Sequence, residues 1–298
     1  MAKEYSFYPG CSSQSKASSD NYQRSTQAMC DALDITLKEI PDWNCCAASI
    51  GYAGGGEMPR VALSARNIAL SQKEFGNEDI VATCAACWLA TREAKERLEE
   101  SDKVRDGVGQ ALNEIGLKIE GEMPKARHMV EVLIEDVGYD ALQAGVKKPL
   151  EGLKIAGYVG CQTNRPFGID GESYENPKYL DKMVEVMGAE PVEGYEKKAS
   201  CCGGALMFSE PEKSQALVKD LIEAAYDGGA DMIVTPCPVC QMNVEVSQPA
   251  INKQYGTKFE IPVVYYSQLI SVAYGKSAKE AGLDGQIIRA KQLEDKAG

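Results

Sequence analysis

Apolar residues recur along the chain at two spacings that alternate. In the segment EPEKSQALVKDLIEAAYDGGADMIVTPC, Leu217, Leu221, Ile222 and Ala225 fall on one face of a helix. Pro211 stands where a first helical turn tolerates proline, and Gly229 stands where the helix has to stop. The apolar run Met232 to Val234 that follows reads as a short strand. The segment EMPRVALSARNIALSQKEFGNEDIVATC repeats the order, with Pro59, a helical stretch, Gly76 and the run Ile80 to Ala82. A second pair of segments, SFYPGCSS and GYVGCQTN, shares an apolar strand-like run, a glycine, a cysteine and small polar residues.

Strands alternating with helices predict a layered α/β fold whose parallel strands carry functional residues at their carboxyl ends. Because the series occurs twice, the expectation is two pseudo-symmetric Rossmann-like α/β halves. They span residues 1–150 and 151–298 and meet near Lys147 to Gly152. Residues 101–150 and 251–298 supply the remaining elements, with PVVYYS the clearest strand and QAMCDAL and ARHMVEVL reading as helical. The run EAKERLEE predicts a solvated helix face laced by charge pairs.

The cysteines follow the same repeat. In the first half Cys11 is followed after 33 residues by Cys45 and Cys46, and after 37 more by Cys84 and Cys87. In the second half Cys161 is followed after 39 residues by Cys201 and Cys202, and after 34 more by Cys237 and Cys240. A chain of 298 residues buries a core without covalent staples, so scarcity of core does not explain these cysteines. The amino-terminal run MAKEYSFYPG lacks the apolar stretch of a secretory signal, and no segment approaches the ~20 apolar residues of a membrane span. A folded cytoplasmic protein without membrane insertion is the expectation, in a compartment where clustered cysteines bind metal or do redox work. The net charge of −12 argues against nucleic acid as a general partner.

Three chemistries compete for the repeated pattern of single cysteine, pair and CxxC. A closed zinc site takes four ligands and leaves one cysteine over in each half. A dithiol redox centre needs only a CxxC and leaves both Cys-Cys pairs unexplained. Iron–sulfur clusters hold several irons on cysteine thiolates and use all five, which makes them the preferred reading. Outside the pattern, Cys30 reads as a small buried hydrophobe and His128, the one histidine, as structural. The glycines of Gly51 to Gly56 do not follow a strand in nucleotide-loop spacing and are read as room for the chain to approach a cluster.

On these residues the chain resembles the cysteine-rich CCG domains of the B-type subunit of heterodisulfide reductase, over almost its whole length. The resemblance implies two noncubane 4Fe-4S clusters with five cysteine ligands each. One would use Cys11, Cys45, Cys46, Cys84 and Cys87, the other Cys161, Cys201, Cys202, Cys237 and Cys240. The family's CCG is present at Cys201-Cys202-Gly203, whereas the first half has Cys45-Cys46-Ala47, where an alanine resists a left-handed backbone.

The activity implied is reduction of the disulfide between coenzyme M and coenzyme B, the step of methanogenesis that this family performs. The electrons would come from the family's C-type iron–sulfur subunit together with its A-type flavin-containing subunit, because this chain lacks the CxxCxxCxxxC segment that some CCG proteins carry. The alternative is an electron-transfer subunit of another oxidoreductase. The implied substrate is strongly anionic, and arginine suits such groups. Arg165, four residues beyond Cys161, and Arg60, beyond the glycine-rich stretch, are therefore the candidate substrate-binding residues.

Overall fold

Among the described residues, eight strands pair into two separate parallel sheets. The computed structural model describes residues 3–48 and 56–298. In the first sheet β1 (Lys3–Tyr8), β2 (Ile35–Glu39), β3 (Ile80–Ala82) and β4 (Ala126–His128) lie in the order β2-β1-β3-β4. In the second, β5 (Lys154–Gly157), β6 (Glu190–Pro191), β7 (Met232–Thr235) and β8 (Val263–Tyr265) lie in the order β6-β5-β7-β8. The topology is the same, which makes the molecule two pseudo-symmetric α/β halves. β3 and β7 are buried throughout, as parallel strands covered on both faces must be.

Helices α1 (Asp20–Ala32), α2 (Glu57–Phe75), α3 (Ala85–Glu100) and α4 (Asp102–Glu114) belong to the first half, followed by α5 (Met129–Glu131) and α6 (Tyr139–Ala144). The second half contains α7 (Tyr179–Val186), α8 (Pro211–Asp227), α9 (Pro238–Tyr255), α10 (Tyr266–Ala273) and α11 (Lys291–Ala297). Pro59 and Pro211 fall in the first turns of α2 and α8, and Gly76 and Gly229 follow their last turns with positive φ. The EAKERLEE run lies in α3, where Lys95 pairs with Glu99 and Arg97 with Glu100.

Two segments differ from their sequence reading. ARHMVEVL is not helical from its start: Ala126–His128 is β4, and the helix begins at Met129. The His128 imidazole accepts the Val130 N–H at 3.2 Å while the Glu131 carboxylate accepts the His128 N–H at 2.5 Å. This reciprocal cap ends the strand and starts the helix on one residue. Likewise the strand in PVVYYS is only Val263–Tyr265, because Tyr266 opens α10 and Gln268 accepts the Tyr265 N–H at 2.9 Å.

The two halves share a core. One cluster of buried side chains joins Tyr22, Met29 and Val130 of the first half to Leu180, Tyr266 and Leu269 of the second. Helix α1 lies on α10, with the Ser25 and Ser267 hydroxyls 2.7 Å apart and the Ser271 hydroxyl donating to the Ser25 carbonyl at 3.1 Å. Cys30 sits in this core, fully buried, and burial pushes its thiol up to about 12.

His128 is fully buried, and burial pushes its pKa down to about 4. Its folded pKa therefore lies below the unfolded value near 6.5, so the unfolded chain takes the proton first as pH falls. The stability this histidine contributes is complete above that value and is lost through the window down to about 4. Between pH 7 and pH 5 the loss amounts to about 2 kcal/mol. Urea unfolding of His128→Gln should show a pH dependence shallower than wild type by that amount. Equal slopes would refute the assignment.

Candidate metal centres

In each sheet the chain leaves the first strand toward one edge and the third strand toward the other. The carboxyl ends of β1 and β3, and of β5 and β7, therefore border a crevice, the place where open α/β sheets bind ligands. The repeated cysteines stand at these crevices. Cys11 and Cys161 follow β1 and β5, while Cys84 and Cys237 follow β3 and β7 as the N-caps of α3 and α9. Cys87 and Cys240 lie one turn into those helices, and the pairs Cys45–Cys46 and Cys201–Cys202 come from the loops after β2 and β6.

The five sulfurs of each half are brought together. Cys45 Sγ lies 3.4 Å from Cys11 Sγ, and Cys46 Sγ 3.6 Å from Cys87 Sγ. In the second half Cys202 Sγ lies 3.5 Å from Cys240 Sγ. A hydrogen bond donated to Cys201 lifts the Cys161 thiol well above the usual range and lowers the accepting Cys201. Cys84 is lowered by a hydrogen bond from Cys87 and by the backbone N–H groups of Cys87 and Ala86 at the start of α3. Neighbouring thiols thus cannot all ionise unless a cation shares their charge.

Backbone glycines make room for this packing. Gly10 and Gly160, each just before the single cysteine, have φ of 78° and 76°. A Cβ on Gly10 would stand 2.8 Å from Cys87 Sγ, and one on Gly160 3.4 Å from Cys240 Sγ. Gly203 has φ of 74°, and its N–H donates to Cys201 Sγ at 3.3 Å. Ala47 takes the same course at φ of 56° and donates to Cys45 Sγ at 3.4 Å, so the alanine accepts the left-handed backbone that its counterpart glycine adopts freely.

Among the described residues, no group of three or more His, Cys, Asp or Glu side chains is arranged to hold a metal ion. A closed tetrahedral zinc site takes four ligands and would leave one cysteine of each half unused. A multi-iron cluster, by contrast, gives each iron its own thiolate. All five second-half cysteines line one cavity of about 100 Å³ with Gln162, Gly204, Ala205 and Val239. Ala48 and Ala86 of the first half complete its wall. Donor chemistry and cavity both fit a bound iron–sulfur group.

Two features escaped the sequence reading. Tyr8 and Tyr158, each three residues before the single cysteine, are fully buried, and their hydroxyls donate at 2.8 Å to the carbonyls of Asn44 and Ser200. They anchor the residue just before each Cys-Cys pair, and the matched Tyr-x-Gly-Cys spacing was the available signal. The second is a buried ion pair between Lys198 and Asp181, found in the second half at the approach to Cys201. Of the two candidate arginines, Arg165 is exposed, donates to the Ala199 carbonyl at 2.7 Å and helps lower the Cys201 thiol. Arg60 pairs with Glu93 at 3.2 Å. Neither is among the residues lining the cavity. Of the Gly51 to Gly56 stretch, residues 51–55 lie outside the described residues.

The family profile of the CCG cysteine-rich domain matches residues 5–91 and 155–245. The 8-methylmenaquinol:fumarate reductase membrane anchor subunit of Wolinella succinogenes is 34% identical over 294 residues, covering 98% of this chain and 100% of its own length. The B-type subunit of the ferredoxin/F(420)H(2)-dependent CoB-CoM heterodisulfide reductase of Methanosarcina acetivorans is 30% identical over 271 residues, 90% of this chain and 88% of its own. A protein of Archaeoglobus profundus named as similar to that B-type subunit is 32% identical over 262 residues, 84% of each. The crystal structure of a hypothetical protein from Helicobacter pylori superposes with a TM-score of 0.75 at 15% identity over 97% of this chain, which shows the fold alone. This chain spans about half of that one, 52%. The matched halves, the cysteines and the length of the alignments lead to one conclusion: the chain belongs to the CCG cysteine-rich domain family, as a tandem pair related to the B-type subunit of heterodisulfide reductase.

Proposed function

We propose that the chain is an iron–sulfur oxidoreductase subunit that reduces the heterodisulfide of coenzyme M and coenzyme B to its two thiols. The observation that carries this reading is the cavity at the second set of cysteines, whose wall includes Ala48 and Ala86 of the first half. Reductive cleavage of a disulfide takes up two electrons and two protons, and a pair of noncubane 4Fe-4S clusters, when bound, would supply the electrons. Cys11, Cys45, Cys46, Cys84 and Cys87 would hold one cluster, and Cys161, Cys201, Cys202, Cys237 and Cys240 the other. Ala86 and Val239, the third residues of the two CxxC motifs, keep the cavity apolar and exclude water between the sites. Arg165, exposed and outside the cavity lining, places a permanent positive charge near Cys201 that would attract an anionic substrate.

The electrons come from partner proteins, the C-type iron–sulfur subunit together with the A-type flavin-containing subunit, in a complex that the names of the relatives support. No helix among the described residues is long and apolar enough to cross a membrane. A second reading is favoured by the relative named as a fumarate reductase anchor subunit: the chain then passes electrons onward and holds no disulfide. Protein purified anaerobically, reduced and mixed with the heterodisulfide decides between them. Reoxidation with release of two thiols supports the first reading, and reduced protein that ignores every disulfide offered supports the second. Arg165→Ala should raise KM about tenfold, the equivalent of ~1.4 kcal/mol, with iron content unchanged. Unaltered kinetics would remove Arg165 from substrate binding.

A further inference from the structure

The fully buried Tyr22 hydroxyl lies 3.0 Å from the Thr83 carbonyl and 3.2 Å from the Pro236 carbonyl. These two residues immediately precede Cys84 and Cys237, the first cysteines of the two CxxC turns, and they come from opposite halves. One phenol thus donates at once to both turns. Its ring is held from the second half, stacked on Tyr265 with centroids 3.9 Å apart and planes at 3°, with the Tyr266 ring edge-on at 6.0 Å. The His128 ring lies against the same two carbonyls. Its Nδ1 accepts the Val130 N–H, which leaves Nε2 to carry the proton. That buried Nε2 and the buried Tyr266 hydroxyl make no regular hydrogen bond of their own.

We propose that Tyr22 is the positioning residue that fixes the two cysteine sites relative to each other, through its shared hydrogen bond to the Thr83 and Pro236 carbonyls. The inference deepens the disulfide-reducing function and rests on it, because two sites acting on one small disulfide must keep a fixed separation. Tyr22 itself touches no substrate. The Ser25–Ser267 contact ties the same pair of helices together without reaching either turn, so it separates simple interface stability from site positioning.

The test compares Tyr22→Phe, which removes the hydroxyl and keeps the ring stack, with Ser25→Ala in the fully loaded protein. Amide hydrogen exchange is read at Trp88 and Gln241, whose N–H groups bond the carbonyls of Cys84 and Cys237 in the first turns of α3 and α9. A net hydrogen bond is worth about 1 kcal/mol, so Tyr22→Phe should raise exchange at both amides together by about fivefold. Ser25→Ala should raise neither. Pulsed paramagnetic resonance between the two clusters should show a broadened distribution of separations in Tyr22→Phe, with iron and sulfide content as in wild type. Unchanged exchange, or a response in only one turn, overturns the proposal, as does an unbroadened distribution. Iron and sulfide analysis of the wild type separates the two ideas: absence of clusters sinks the proposed function, whereas the paired response of the two turns is read without reference to activity.

Discussion

Cys46→Ala is expected to halve the inorganic content of the anaerobically purified protein, from about eight irons and eight acid-labile sulfides to about four of each. Cys46 is buried and its sulfur sits 3.6 Å from Cys87 Sγ, so no solvent molecule replaces it readily. Cys202→Ala should remove the other four irons in the same way, since its sulfur faces Cys240 at 3.5 Å. Either variant should lose disulfide reduction altogether, because the two electrons no longer arrive at one substrate. Cys30→Ser should keep both clusters, since Cys30 lies in the shared core rather than at either crevice. One or two zinc ions in place of iron in the wild type would end the cluster assignment.

Gly10→Ala should cost the protein its first cluster almost as completely as loss of a ligand. Two effects add at this position. An L side chain at φ of 78° and ψ of 158° sits in a backbone region kept almost wholly for glycine and is strained by about 1–3 kcal/mol, and the new methyl would stand 2.8 Å from Cys87 Sγ. The sulfur is the nearest thing that can yield, and its displacement takes a ligand out of position. Gly160→Ala also puts an L residue at a positive φ of 76°, but its methyl meets Cys240 Sγ at 3.4 Å. Iron analysis should therefore rank the two variants, with Gly10→Ala the poorer. Equal iron retention would show that the close approach to sulfur does not matter.

Much of this arrangement is legible in the amino-acid sequence alone. The repeat of strand, cysteine, helix and CxxC places β1, β3 and β7, and sets the run Gly157 to Val159 at and just past the end of β5, while the proline and glycine punctuation places α2 and α8, because these are local signals with local causes. The residues on which they rest lie within one or two turns of each other. ARHMVEVL misleads because its helical periodicity is genuine from Met129 onward, while the strand before it is three residues long and its cap depends on a histidine acting as an acceptor. Ala47 adopts a conformation that composition disfavours, since the N–H it offers to Cys45 fixes the loop. Tyr8 and Tyr158 are visible as a matched spacing but not as buried donors, a property that only the packed core reveals. The link from Tyr22 to Pro236 joins residues 214 positions apart, beyond anything that local pattern encodes.

Because α1 is covered by α10, the amino-terminal cysteines leave a ribosome long before the part of the chain that finishes their surroundings. Tyr22 and Met29 stay uncovered until residues 266–273 have been made, and the Thr83 carbonyl waits for Pro236 to share its hydroxyl partner. The first half buries a cluster of its own, from Tyr8 to Met123, but the face of α1 that α10 covers stays open until the second half has been made. Metal loading is accordingly expected to follow release of the completed polypeptide, with the assembly machinery meeting an almost finished protein rather than a nascent one.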